Sequence, residues 1–105
     1  MLHKQKRIES KKIRDSARGQ LCTMFSPVCT GGGDDATVFC HSNDSVAGKG
    51  GSKKADDLFG FDGCAACHDW FDNKRAPIEV LDSYEKKAVY RTQRRKYDMG
   101  LIIVK

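Results

Sequence analysis

Apolar positions are sparse at the start of the chain. After Leu2, only Ile8 and Ile13 interrupt the charge up to Asp15, which predicts a frayed or weakly helical basic arm. Leu21 to Cys29 is a short segment with two cysteines around Pro27, and Gly31-Gly32-Gly33-Asp34-Asp35 is a strong turn signal. Ala36 to Cys40 is β-branched and apolar and reads as a short strand. Ser45 to Lys54 holds three glycines and three lysines and reads as a flexible loop. A second apolar run, Leu58 to Phe61, is closed by Asp62-Gly63, a tight-turn dipeptide. A helix follows over about Cys67 to Arg75, limited by Pro77. A longer helix is expected from about Glu79 to Tyr97, with a buried stripe of Ile78, Leu81, Tyr84 and Ala88. Gly100 is placed to stop it, and Leu101 to Val104 reads as a terminal strand. No repeat or heptad pattern appears.

At 105 residues this is one small domain, and with 39% hydrophobic residues its core is thin enough to need a staple. No apolar run is long enough to span a membrane, and no apolar segment follows the charged N-terminus as in a secretory signal. A reducing compartment is therefore expected, where clustered cysteines are more often metal ligands than disulfides. Charge falls in blocks. Residues 1–20 and 83–105 each carry seven Lys/Arg against two acids, and residues 21–82 carry five against ten. An acidic centre between basic ends suits a metal site flanked by polyanion-binding surfaces.

Four of the five cysteines fall in two pairs, Cys22 with Cys29 and Cys64 with Cys67. Tetrahedral zinc takes four thiolates, and a Cys-x-x-Cys turn points both sulfurs at one ion. Structural zinc is the leading reading, although the first pair is spaced more widely than usual. Cys40 reads as a small buried hydrophobe. Cys64-Ala65-Ala66-Cys67-His68 also fits the attachment motif for c-type haem. Haem would leave Cys22 and Cys29 without a role, and the chain lacks the apolar bulk to wrap it. A thioredoxin-like reading lacks its βαβ context.

His3 lies in the arm and reads as inert. His41 follows the first strand, and His68 opens the shorter helix with Asp72 at i+4 on the same face. An imidazole and a carboxylate with room for water and phosphate suit Mg²⁺ or Mn²⁺, and His41 opposite them could deprotonate an attacking water. Arg18 is a candidate phosphate clamp. Lys49, Lys53 and Lys54 in the loop, and Lys87, Arg91, Arg94 and Arg95 on the last helix, are candidate phosphate contacts.

Taken in order, Ser16-Ala17-Arg18-Gly19, Cys22 with Cys29, Val38-Phe39-Cys40-His41, Asp57-Leu58, Cys64-Ala65-Ala66-Cys67-His68-Asp69 and Arg91-Thr92-Gln93 resemble the small phage and prophage nucleases of the YbcO type. The resemblance runs from about Arg14 to the C-terminus. It implies an HNH-like ββα-metal (His-Me) finger, with His41 as general base, His68 as helical metal ligand and Asp72 as a second ligand. HNH proteins carry an Asn that orients the base; Asp57 is the nearest candidate here, with Asn43 farther off. Cys40 stands where relatives often have a metal-binding Asp or His. DNA cleavage in phage recombination or DNA processing, in the cytoplasm of a bacterial host, is the role implied.

The expectation is thus an α+β fold: residues 1–15 a disordered basic arm, and residues 16–105 a zinc-stapled finger with a longer C-terminal helix. DNA is the expected partner, with no membrane and no haem, and the apolar face of the last helix could serve a homodimer. The rival is a non-catalytic zinc module that binds DNA or protein.

Overall fold

The computed structural model describes residues 7–34, 36–42 and 56–105. Lys49, Lys53, Lys54, Asn43 and His3 lie outside them. The fold is α+β, and the described residues form two small antiparallel sheets, three α-helices and a 3-10 turn.

Helix α1 (Lys11–Asp15) begins at Ser10, whose hydroxyl accepts from the Ile13 N–H, and buries Ile13. The arm read as frayed or weakly helical thus carries a helix, and from Arg7 onward it is tied to the rest of the chain. The reason is a set of long-range polar contacts. Asp57 N–H donates to the Ile8 carbonyl at 2.9 Å, and Ile8 N–H to the Asp56 carboxylate at 2.8 Å. Short-range pattern carries no trace of such contacts.

Strand β1 (Gly19–Leu21) pairs with β2 (Gly32–Asp34), Gly19 opposite Asp34 and Leu21 opposite Gly32. The glycine run read as a turn thus supplies a strand as well. Gly32 has φ +71°, and a Cβ there would strike the Thr37 hydroxyl and the Cys22 amide, so no other residue fits.

Strand β3 (Thr37–Cys40), expected from Ala36, pairs with β4 (Phe61–Cys64), running from Thr37 opposite Cys64 to Cys40 opposite Phe61. Asp62-Gly63, expected as a tight turn, lies within β4. The preceding apolar run, Leu58 to Phe61, is divided between a single 3-10 turn (Asp57–Phe59) and the first residue of β4. Packing overrides the dipeptide signal, because a Cβ at Gly63 would lie 3.1 Å from Cys40 Sγ and 3.0 Å from the Phe61 ring.

Helix α2 (Ala65–Asp72) starts two residues earlier than expected, because the Cys64 sulfur caps it by accepting from the Cys67 N–H. Helix α3 (Ile78–Asp98) ends at Gly100, φ +78°, with Leu101 N–H on the Lys96 carbonyl and Gly100 N–H on that of Tyr97. Leu101 to Val104 forms no strand, contrary to expectation; no edge is paired with it, and Ile102 and Val104 instead line a groove beside α3.

The buried stripe of α3 also differs: it consists of Leu81, Glu85, Ala88, Thr92 and Lys96, while Ile78 is exposed and Tyr84 half-buried. Its second half is polar because it faces Asp62 of β4. The Thr92 hydroxyl accepts from the Asp62 N–H at 3.0 Å, and Lys96 Nζ lies 2.6 Å from the Asp62 carboxylate, both side chains fully enclosed. Arg95 reaches the same oxygen at 2.9 Å. Burial draws the Lys96 ammonium below its usual range despite Asp62, so the pair is held against a desolvation cost. Lys96→Ala should destabilise the chain by about 3 kcal/mol, since it leaves Asp62 buried with one cation fewer. A urea midpoint equal to wild type would show that Arg95 alone suffices.

Candidate metal centre and adjoining histidine site

The loop after β1 and the junction of β4 with α2 meet at four sulfurs. The Sγ atoms of Cys22, Cys29, Cys64 and Cys67 all lie within 4.8 Å of one another, and every cysteine is a free thiol. A tetrahedral site with zinc–sulfur bonds of about 2.3 Å has sulfur–sulfur edges of about 3.8 Å, so the four need only small adjustments to hold one ion. Cys22, Cys64 and Cys67 are buried within the hydrophobic core.

The chain donates to these sulfurs from all sides. Met24 N–H lies 3.4 Å from Cys22 Sγ, Gly31 N–H 3.3 Å from Cys29 Sγ and Cys67 N–H 3.4 Å from Cys64 Sγ, and the Ser26 hydroxyl lies 3.0 Å from Cys67 Sγ. Burial would raise the Cys64 thiol, but hydrogen bonds from the Thr30 amide and hydroxyl and from Cys67 bring it down to about 6. Cys29 and Cys67 go the other way: burial, joined by neighbouring thiols, pushes them up. A cluster equipped with donors for thiolates, yet unable to ionise fully against its own repulsion, is completed by a dication. The donor set therefore fits the zinc read from the sequence.

Cys40 stands apart. It is buried in β3, and burial drives its thiol far above the ordinary range, as expected of a packing residue.

His41 leaves the far end of β3, beyond the Cys40–Phe61 pair. Its Nε2 lies 3.0 Å from the Asp57 carboxylate, with the Phe39 ring edge-on at 5.4 Å. Sixteen residues separate His41 from Asp57, and the 3-10 turn brings the carboxylate back to the imidazole.

Asp57 is enclosed. It accepts from the Ser10 N–H at 2.7 Å, from Arg14 at 2.5 Å and from Arg7 at 3.2 Å. Burial would raise its carboxyl, but Ser10, His41 and Arg14 outweigh that and hold it below the ordinary carboxylate range. It is therefore an anion at neutral pH, able to fix the imidazole's orientation and tautomer.

Arg7 and Arg14 belong to the site although no motif marks either. The only sequence signal was their membership of a basic segment. Arg14 also borders a cleft of about 500 Å³ between α1 and β3, with Arg18 on the same wall and Thr37 and Phe39 opposite.

His68 and Asp72 lie one turn apart on α2, the first half-buried and the second exposed. The Phe71 ring packs edge-on against Phe61 at 5.4 Å, so the end of α2 returns to the end of the hairpin from which His41 departs. Among the described residues no third metal-binding side chain joins them.

The basic residues of α3 divide. Lys87 and Arg94 are exposed, whereas Arg95 is spent on Asp62 and the Leu21 carbonyl. Arg91 donates to the Thr23 carbonyl at 2.9 Å, and its guanidinium lies 5.0 Å above the Phe25 ring.

No described helix is long and apolar enough to cross a membrane. The sequence model of the family described as "Putative nuclease YbcO" matches residues 11–101. Among solved structures, a chain titled as a putative bacteriophage protein from Escherichia coli K-12 is similar, with a TM-score of 0.65 and 25% identity; the match covers 85% of this chain and 100% of that one. No curated protein matches.

Proposed function

The chain belongs to the YbcO nuclease family, and from that premise we propose that it is a metal-dependent DNA endonuclease that hydrolyses phosphodiester bonds, built on an HNH-like ββα-metal finger. The observation that carries the reading is the His41–Asp57 pair at 3.0 Å, poised where a ββα unit (β3, β4, α2) ends.

In this reading His41 is the general base, taking a proton from the attacking water. Asp57 holds the ring and stabilises the imidazolium that forms. Arg14 and Arg18 receive phosphate in the cleft beside β3, since guanidinium pairs with phosphate oxygens through parallel hydrogen bonds. His68 and Asp72 would hold Mg²⁺ or Mn²⁺, which would supply positive charge where it builds up on the phosphate. The zinc cluster has no chemical part; it fixes the hairpin to α2. Lys49, Lys53 and Lys54 remain candidate phosphate contacts on the loop. Phage recombination or DNA processing in a bacterial cytoplasm is the setting that the family points to.

The test is cleavage of linear and branched DNA by the zinc-loaded chain, with and without added Mg²⁺ or Mn²⁺. Cleavage that needs the added ion and disappears in His41→Ala supports the proposal. Tight DNA binding with no cleavage under any of these conditions would leave the non-catalytic zinc module as the better reading.

A further inference from the structure

The second half of α3 has a composition that the catalytic reading leaves unused. Residues 86–97 hold six Lys/Arg and no acid, with tyrosines at 90 and 97. Lys96 and Arg95 turn inward to Asp62, which leaves Lys86, Lys87, Arg91 and Arg94 exposed. Among the described residues Arg94 pairs with Asp98, at 3.5 Å between two exposed side chains, and its guanidinium lies 6.0 Å from the Tyr97 ring.

Lys87, Tyr90, Arg94 and Tyr97 follow +3, +4, +3 spacing and so share one face of the helix. Tyr90 is 68% exposed and Tyr97 49%, an unusual outlay of aromatic surface on a chain with so thin a core. Both line a groove of about 460 Å³ whose apolar walls include Leu58, Ile102 and Val104. The lining is largely apolar and includes one cation, Arg94, with Lys87 two turns back on the same helix face. That combination fits neither a duplex backbone, which offers phosphate without exposed rings, nor a simple solvated face.

We propose that this groove is a track for unpaired nucleotides, with bases stacking on Tyr90 and Tyr97 and phosphates running along Lys87 and Arg94. The two rings stand seven residues apart, about 10 Å along the axis, enough for a short run of extended strand. Stacking on aromatic rings between cationic side chains is how single strands are held without sequence preference.

The groove shares one element with the proposed catalytic site. Leu58, in its wall, is the neighbour of Asp57 in the same 3-10 turn, and Gln93 of α3 clamps that turn through the Leu58 carbonyl at 2.6 Å. The turn that presents Asp57 to His41 therefore presents Leu58 to the groove. This inference rests on the nuclease reading and narrows its substrate to DNA with a single-stranded segment, such as a flap or a branch.

The experiment is fluorescence anisotropy of labelled oligothymidylate, and of a duplex of equal length, with the zinc-loaded full chain and no Mg²⁺. Tyr90→Ala and Tyr97→Ala should each weaken oligothymidylate binding about fivefold or more, while Tyr90→Phe and Tyr97→Phe retain it. Arg94→Ala should lower the slope of log affinity against log salt by somewhat less than one. Both tyrosines are exposed, and circular dichroism checks that the helix survives. Folded alanine variants that bind oligothymidylate like wild type would overturn the track. So would a wild-type dimer that Tyr97→Ala makes monomeric with no change in single-strand affinity, which would make the groove a self-association surface. Cleavage is read separately: an active nuclease with tyrosine-independent binding refutes the track alone, and tyrosine-dependent binding without cleavage refutes catalysis alone.

Discussion

Stripping the metal from purified protein should unfold it, and the returned protein should bind close to one zinc per chain. The sulfurs of Cys22, Cys64 and Cys67 lie inside the core itself, packed with Met24, Phe61 and Phe71. Structural zinc sites of this kind contribute on the order of 10 kcal/mol or more to folding, as much as the whole stability of an ordinary small domain. The hydrophobic remainder is modest, for the chain buries few large apolar side chains outside this cluster. Cys64→Ala should do the same without a chelator, since Cys64 ends β4, caps α2 and supplies a sulfur at once. Loss of helical circular dichroism on chelation, recovered by adding zinc, is the measurement. A chain that stays folded with a strong chelator in excess, or that carries no metal as isolated, would refute the staple.

His41→Ala should lower DNA cleavage by about a hundredfold to ten-thousandfold, the range over which a positioned general base contributes. The fold should survive, because Asp57 keeps the Ser10 amide, Arg14 and Arg7 as partners. Asp57→Asn separates orientation from charge: the amide can still bond the ring but cannot stabilise imidazolium, so a smaller loss is expected than for His41→Ala. Asp57→Ala is a harsher change. It releases two arginines and an amide as well as the imidazole, and should cost stability along with activity. Single-turnover cleavage at saturating Mg²⁺ measures these effects, with urea midpoints as the control for folding. Undiminished cleavage by folded His41→Ala would exclude it as the base.

The features legible in the chain before folding are local or compositional. The Cys64-x-x-Cys67 turn, the strand before His41, the stop at Gly100 and the long helix are written in adjacent residues, because turn chemistry and helical period act over a few positions. The pairing of Cys22 and Cys29 with that turn was readable from count and composition, since a thin core with four paired cysteines has few other uses for them.

Long-range packing set the remainder. It drew Arg7 and Arg14 onto Asp57, turned Lys96 inward, ran β4 through Asp62-Gly63 and left Leu101 to Val104 without a sheet. The first three of these outcomes depend on a partner tens of residues away: Asp57 for the arginines, Asp62 for Lys96, Cys40 for Gly63. A buried carboxylate must recruit cations from wherever the chain passes, and a glycine is claimed by whatever backbone or sulfur packs closest. Neither demand leaves a mark on the immediate neighbours in sequence.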